Sequence, residues 1–242
     1  MRRNTISLIL LAALYLPLTA RAGSLELGAW PQFGMQMNNP VIIVNDYTGL
    51  GLATRLGYEF SEEQTFRPVF FGEFSFMSFG TEHWYVPLSA AEDNVFCDVN
   101  SQYRITSFCP GLALNMHLGS IRPYGEIFGG PAYFTILNRF DNYRWTGAPL
   151  DQTEDFSHLS YILSMGGGLK FMLWQALGKD SGSALKDMAI DLKFTYQRSG
   201  QSDFIVKQNL KRPELNGPVL FEKSNSCLDM LQFRFGASFR ML

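Results

Sequence analysis

The stretch LQFRFGASFRML, residues 231–242, alternates in character from one residue to the next. Its odd-numbered positions, from Leu231 to Met241, are apolar, and the even-numbered positions from Gln232 to Arg240 are polar or small. Because successive side chains of a strand point to opposite faces, this alternation predicts a strand with one apolar face and one polar face. The polar face carries two arginines, so one side of the predicted sheet faces either water or paired charge.

The same period-two pattern predicts eight strands along the chain. They span 25–37, 49–60, 69–79, 105–118, 124–137, 159–173, 188–198 and 231–242. Six of them have one clearly apolar face. The third is aromatic on both faces and the fifth is rich in glycine, so neither has a clear register. A bulge near Gly72 or Glu73 would explain the break in the third strand.

The N-terminal residues predict a secretory signal peptide. Arg2 and Arg3 precede an apolar run from Ile6 to Leu18, which is followed by the small-residue site Ala20-Arg21-Ala22. We therefore predict a leader over 1–22 and one mature domain over 23–242. Removal of this leader changes the formal net charge from −2 to −5. This mild acidity disfavours nucleic acid as a partner.

No later stretch of the sequence is long and apolar enough for a spanning helix, so a membrane location requires a closed barrel. The connections support this architecture. Those predicted at 38–48, 80–104, 138–158 and 199–226 are long, and 61–68 and 119–123 are short, whereas 174–187 is an exception. Bacterial barrels have long external loops and short periplasmic turns. We therefore predict an eight-stranded antiparallel up-and-down β-barrel in the cell outer membrane, with both termini periplasmic.

Charged residues of both signs share the face opposite the apolar one. In a membrane barrel they would point into the lumen, where unpaired charge is costly, so they would have to pair. This predicted lumen network consists of Glu26, Arg55, Glu59, Lys170, Asp191, Lys193, Arg234 and Arg240.

Aromatic residues cluster near the predicted strand ends, as in the aromatic girdles of outer-membrane barrels. The periplasmic rim would hold Tyr58, Phe60, Tyr124, Trp174 and Phe239. The outer rim would hold Phe79, Trp84, Phe108, Phe134, Trp145, Tyr161 and Tyr196.

With its leader, the segments Ser120–Glu126 and Gly129–Phe134 and the C-terminal strand, the chain resembles the eight-stranded outer-membrane barrel superfamily. This superfamily includes OmpA-like, OmpX-like, opacity-protein-like and porin-family barrels. The resemblance implies contact with outer-membrane lipid and with the barrel insertion machinery of a Gram-negative envelope. Chains of this kind usually end in a lipid-facing Phe, whereas here Leu242 is out of phase and Met241 takes the final lipid-facing place.

His158 and Ser160 lie two apart on a predicted strand, so they share a face about 6.6 Å apart. The pair is similar to the His-x-Ser of outer-membrane lipid A deacylases, which implies an esterase as an alternative function. A nucleophilic serine needs a base that is itself oriented by an acid. Tyr161 stands where that family has Asn, and no acid lies in 170–174. A polar pair at a strand end is therefore the favoured interpretation.

The three cysteines Cys97, Cys109 and Cys227 map to the predicted extracellular half. A secreted protein permits disulfides, and Cys97 with Cys109 is the pair closest in sequence, although the other pairings stay open. The few histidines show no metal-ligand spacing with a cysteine, and no phosphate-binding glycine motif is present, so no metal or cofactor is expected.

The resulting functional hypothesis is a non-enzymatic outer-membrane barrel. It would anchor the long loops 80–104, 138–158 and 199–226 for contact with extracellular ligands or proteins, or for envelope integrity, since loops on rigid scaffolds often carry recognition. The lipid esterase based on Ser160 and a small-solute pore are the alternatives.

Overall fold

A computed structural model describes residues 23–37, 48–60, 65–87, 96–142, 149–175, 185–211 and 220–241 of the chain. The predicted leader over 1–22 and the terminal Leu242 lie outside these residues. In the described part of the chain, no helix is long and apolar enough to cross a membrane.

Eight antiparallel strands form one closed barrel, which confirms the predicted fold class. Each strand pairs with its neighbours in sequence, and β8 closes on β1 from Leu25↔Met241 to Gln36↔Met230. The strands are β1 Ser24–Gln36, β2 Thr48–Glu59, β3 Phe66–Pro87, β4 Phe96–Met116, β5 Ile121–Asn142, β6 Pro149–Gln175, β7 Leu185–Lys211 and β8 Leu220–Met241.

The alternation of the sequence separates the inside of the barrel from its outside. On β1, Gln32 is 3% exposed, whereas its neighbours Phe33 and Met35 are 41% and 42% exposed. The same holds on β8, where Arg234 is fully buried beside the exposed Phe233 and Phe235. At these positions polar side chains therefore point inward and large apolar side chains point outward.

The start of β1 and the end of β8 lie at one end of the barrel, called here the terminus end. The turn between β4 and β5 also lies there, and it is tight because Leu118 bridges to Ile121. Gly119 has a φ of 83° in this turn. A residue without a Cβ adopts this left-handed conformation at no steric cost, which explains a glycine at this position.

The strands extend well beyond the predicted bounds at the end opposite the termini. The predicted loops 80–104, 138–158 and 199–226 are largely strand, because β3–β4, β5–β6 and β7–β8 continue as paired hairpins to Pro87↔Phe96, Asp141↔Pro149 and Lys211↔Leu220. These segments lack the apolar face that reveals a strand in the sequence. The interpretation of the three ranges as long loops was therefore wrong.

The predicted bulge near Gly72 or Glu73 was also wrong. Pairing of β3 with both β2 and β4 runs unbroken through these two residues. The irregularity of β3 lies between Ser78 and Thr81 instead. The sequence shows no clear phase in β3 because aromatic residues occupy both of its faces, although its register is regular through Gly72 and Glu73.

Candidate functional site

The barrel interior contains a buried group of five charged residues, called here the central cluster. The Glu73 carboxylate forms ion pairs with Arg55 at 2.9 Å, Lys193 at 2.8 Å and Arg234 at 2.5 Å. Glu126 pairs with both Arg55 and Lys193 at 2.6 Å. All five side chains are at most 2% exposed. The cluster thus ties together β2, β3, β5, β7 and β8.

Aromatic rings enclose the cations of the central cluster. The guanidinium carbon of Arg55 lies 3.7 Å from the ring centre of Phe71 and 5.4 Å from that of Trp30. Lys193 Nζ lies 5.0 Å from the ring centre of Phe128. A cation over an aromatic face is attracted to the ring electrons, most strongly where water is excluded. These rings therefore compensate part of the desolvation of three cations that share two carboxylates.

A second charged group, called here the lower cluster, lies between the central cluster and the terminus end. Its main acceptor is Glu59, which accepts from Arg67 at 3.0 Å and Arg240 at 2.7 Å and faces His117 at 3.6 Å. Asn115 donates towards Glu59 and Glu26 at 3.3 and 3.4 Å. The turn after β4 is thereby joined to the start of β1 and the end of β2.

The other half of the lower cluster is built from β5, β6 and β7. Lys170 pairs with Glu26 at 2.6 Å, and Arg122 pairs with Asp187 at 2.9 Å. Arg240 contacts the same Asp187 carboxylate, so it links the two halves. The lower cluster comprises Glu26, Glu59, Arg67, Asn115, His117, Arg122, Lys170, Asp187 and Arg240.

The space between the side chains of the lower cluster is small. The recess holds about 20 Å³, which is room for about one water. Asn115 Oδ1 is buried in it without a hydrogen-bond partner. Burial lowers the pKa of His117, although its hydrogen bond to Glu59 acts in the opposite direction. His117 is therefore neutral near pH 7.

Much of the remaining interior is filled by an apolar cluster, which comprises fifteen buried residues in the described part of the chain. Twelve of them come from β3, β4 and β5, and they include Phe71, Met77, Ile105 and Phe134. The described part of the interior is thus largely packed with side chains, as expected for an eight-stranded barrel, which is only wide enough for its own side chains.

The structure places all eight residues of the predicted lumen network inside the barrel, in the central or lower cluster or next to them. Asp191 lies between the clusters and accepts a hydrogen bond from Tyr124 at 2.8 Å. The sequence reading missed Glu73 and Glu126, which organise the central cluster. Both lie on strands whose two faces look alike in the sequence, so the alternation that revealed the other charges gave no signal for these two.

Three aromatic residues predicted for the rims lie in the interior instead. Tyr124, Phe79 and Phe134 are 6%, 3% and 6% exposed. Tyr124 packs under the Lys170 ammonium, whose Nζ lies 5.1 Å from the ring centre. Each of these rings shares its face with inward neighbours on β3 or β5. The prediction failed because position near a strand end does not fix which face a ring occupies.

His158 and Ser160 share one face of β6 because they are two residues apart, and this face continues with the buried Ile162 and Ser164. Ser160 pairs across to Ala132 and His158 to Phe134. The Ser160 hydroxyl donates to the backbone carbonyl of Gln201 at 3.3 Å. Neither residue belongs to the central or the lower cluster.

The predicted Cys97–Cys109 disulfide is incompatible with the fold. Both residues lie on β4, twelve positions apart. A strand rises about 3.3 Å per residue, which separates them by about 40 Å, and a disulfide requires Cα atoms within about 7 Å. Cys109 and Cys227 are free thiols. The prediction failed because it treated Cys97 as part of a loop that could fold back.

The fold and the filled interior define a closed eight-stranded antiparallel barrel with its charges inside. Among solved structures, the chain is similar to the attachment invasion locus protein Ail of Yersinia pestis, with a TM-score of 0.39 and 14% identity over 90% of this chain and 97% of that one. It is also similar to a major outer membrane protein from Thermus thermophilus, with a TM-score of 0.41 and 9% identity over 91% and 100%.

A third similar structure is the outer membrane enzyme PagL, with a TM-score of 0.30 and 13% identity over 91% of this chain and 99% of that one. These structural neighbours are outer-membrane β-barrel proteins. No family model and no curated protein sequence matches the chain.

Proposed function

We propose that this protein is a non-enzymatic outer-membrane barrel that spans the bilayer as a closed anchor and presents three strand hairpins on the outside. The observation that carries the proposal is the polarity of the fold. Charged residues such as Lys193 and Arg234 are fully buried, whereas Leu50, Leu159 and Tyr161 on the outer wall are 69%, 68% and 66% exposed.

The cost of this arrangement in water favours a lipid environment. Twenty-eight large apolar side chains of the described residues are exposed. Burying one such side chain contributes about 1.5–3 kcal/mol, so their exposure to water costs on the order of tens of kcal/mol. Soluble monomers rarely expose contiguous apolar patches beyond a few hundred Å². A strand needs about 9–11 residues to cross a bilayer, and each strand of the barrel is longer.

Membrane residence is tested with two matched charge substitutions on the outer wall. Leu52 and Leu118 are 62% and 60% exposed, but Leu52 lies in the middle of β2 and Leu118 lies in the turn at the terminus end. Leu52→Arg should lower the free energy of unfolding from vesicles by about 2–4 kcal/mol, and Leu118→Arg by at most about 1 kcal/mol. Equal effects, or purification of the wild type from the aqueous phase without detergent, would contradict membrane residence.

The proposed closed interior is tested by electrical recording. The central cluster, the lower cluster and the apolar cluster pack much of the described interior, and the recess among the charged residues of the lower cluster holds about 20 Å³. We expect no steady channel openings when the folded barrel is inserted into planar bilayers. Regular unitary openings would support the small-solute pore and contradict a closed anchor.

The orientation and the external role are tested on intact cells. We expect an epitope inserted within 88–95, between β3 and β4, to bind antibody on intact cells. A tag after residue 242 should bind only after the outer membrane is permeabilised. The reverse pattern would overturn the proposed orientation, and with it the surface role of the hairpins.

The esterase alternative is tested in the same cells. Ser160→Ala should leave the acylation of membrane lipid unchanged, whereas a loss of lipid hydrolysis would favour the esterase.

A further inference from the structure

A hollow in the outer wall of the barrel lies over β4, β5 and β6 and is called here the wall groove. Its floor is formed by Pro110 of β4 and Gly129 of β5, which carry little or no side chain at outward positions. Large apolar side chains stand around this floor, and most of them are about half exposed. The rim consists of Phe70, Leu112, Ile127, Tyr161 and Leu163.

The pairing of β4 with β5 is interrupted at the floor of the wall groove. The β4–β5 ladder is continuous from Cys97↔Asn142 to Ser107↔Ala132 and resumes at Gly111↔Phe128 in the same register. The three positions between, 108–110 on β4 and 129–131 on β5, are unpaired in this ladder. Each of these segments contains a proline, which cannot donate to a ladder and is rare inside a sheet.

We propose that the wall groove binds one acyl chain of a membrane lipid. This inference rests on the proposed membrane residence. The groove has a volume of about 560 Å³, within the range of small-molecule sites. No charged residue lines it, so neither a lipid headgroup nor a charged peptide would find a counter-charge there. An apolar chain fits both the lining and the position of the groove among outward apolar side chains.

A second copy of the barrel is the competing occupant, and the size of the groove disfavours it. Eleven residues line the groove, whereas a stable protein interface takes about 20–30 residues a side. A single acyl chain is far smaller than a second barrel and does not need a contact area of that size.

The test uses two pairs of leucines on the same two strands. Leu112→Ala/Leu163→Ala removes the walls of the groove on β4 and β6. Leu114→Ala/Leu169→Ala removes outward leucines that do not line it. Each barrel is folded into vesicles of one phosphatidylcholine, extracted in detergent and analysed by native mass spectrometry. We expect the wild type and the control pair to retain one lipid per barrel and the groove pair to lose it.

A substitution that fills the groove gives an independent test of lipid retention in the same measurement. Gly129→Leu would occupy the groove, and Gly125→Leu is its control because a Cβ at Gly125 meets only a backbone oxygen at 4.0 Å. A Cβ at Gly129 would lie 2.8 Å from the Ile162 carbonyl oxygen, so this variant needs a local shift and is checked for folding first. The leucine-to-alanine pairs do not depend on that shift.

Three results would overturn the inference. They are a wild type that retains no lipid, equal lipid retention in the groove and control pairs, and a dimer that the groove pair alone dissociates. If the barrel inserts into vesicles but retains no lipid, the inference fails and the proposed function stands. If the barrel does not insert at all, the proposed function itself has failed.

Discussion

Strands β5 and β7 are separated only by β6 in the barrel wall, yet their inward side chains fill the interior in different ways. The inward row of β7 is mostly polar and includes Asp191, Lys193 and Gln197. The inward row of β5 is mostly apolar beyond Glu126 and includes Phe128 and Phe134. Both rows are buried, and both strands have apolar outer faces. The comparison teaches that the outer face of such a barrel must be apolar, whereas the inner face needs only to be filled and its charges paired.

The largest expected effect comes from removing the shared acceptor of the central cluster. Glu73→Gln leaves Arg55, Lys193 and Arg234 with Glu126 as the remaining carboxylate of the cluster. Breaking a buried pair by removing one partner costs about 3–5 kcal/mol, because an uncompensated charge stays buried. Urea unfolding from lipid vesicles measures this loss. A change below about 1 kcal/mol would show that water reaches these cations and that the polar side of the interior is not a dry core.

Truncation on the apolar side should have a somewhat smaller effect. Met77 is 2% exposed within the apolar cluster. Met77→Ala should lower the free energy of unfolding by about 3 kcal/mol through lost contacts and a cavity. Met77→Leu keeps most of the volume and should cost less than about 1.5 kcal/mol. Met77→Leu is compared directly with Met77→Ala in the same unfolding assay. If both variants lost the same free energy of unfolding, the shape of this side chain and not only its volume would determine packing in the apolar cluster.

The lower cluster should give the barrel a measurable pH dependence. Burial holds the pKa of His117 below its ordinary value of 6.5 among Glu59, Arg67 and Arg122. The unfolded chain then binds the proton more readily than the folded barrel. The contribution of His117 to stability is therefore complete above pH 6.5 and is lost as the pH falls through its lowered pKa.

His117→Gln isolates this contribution, because glutamine stays neutral. The free energy of unfolding of the variant, measured from pH 8 to pH 5, should depend less on pH than that of the wild type. Parallel curves for the two proteins would assign the pH dependence to other groups.

The smallest expected effect concerns an exposed ion pair outside the two charged clusters. Arg198 lies 3.6 Å from Asp229, and its side chain is 63% exposed. Arg198→Gln should change the free energy of unfolding by less than about 1 kcal/mol, since solvent screens exposed pairs. If Arg198→Gln lowered the free energy of unfolding as much as Glu73→Gln, exposed ion pairs would stabilise this barrel as strongly as buried ones.

The contrast between β5 and β7 also explains how much could be predicted from the sequence. Where the interior is polar, as along β7 and β8, alternation revealed the strands and the inward residues Lys193 and Arg234. Where the interior is apolar, as along β3 and β5, both faces of the strand look alike, and the sequence does not show which residues point inward. Glu73 and Glu126 were missed for this reason. The hairpins beyond the apolar belt were missed because neither of their faces is uniformly apolar.

The ion pairs of the interior join residues that are far apart in sequence. Glu26 and Lys170 are separated by 144 positions, Glu73 and Arg234 by 161, and Glu59 and Arg240 by 181. The carboxylates that pair with Arg234 and Arg240 lie mainly on β3 and β2, and Arg240 also contacts Asp187 of the neighbouring β7. A half-formed sheet would expose bare cations to hydrocarbon. We therefore expect strand closure and neutralisation of the interior charges to be coupled during assembly.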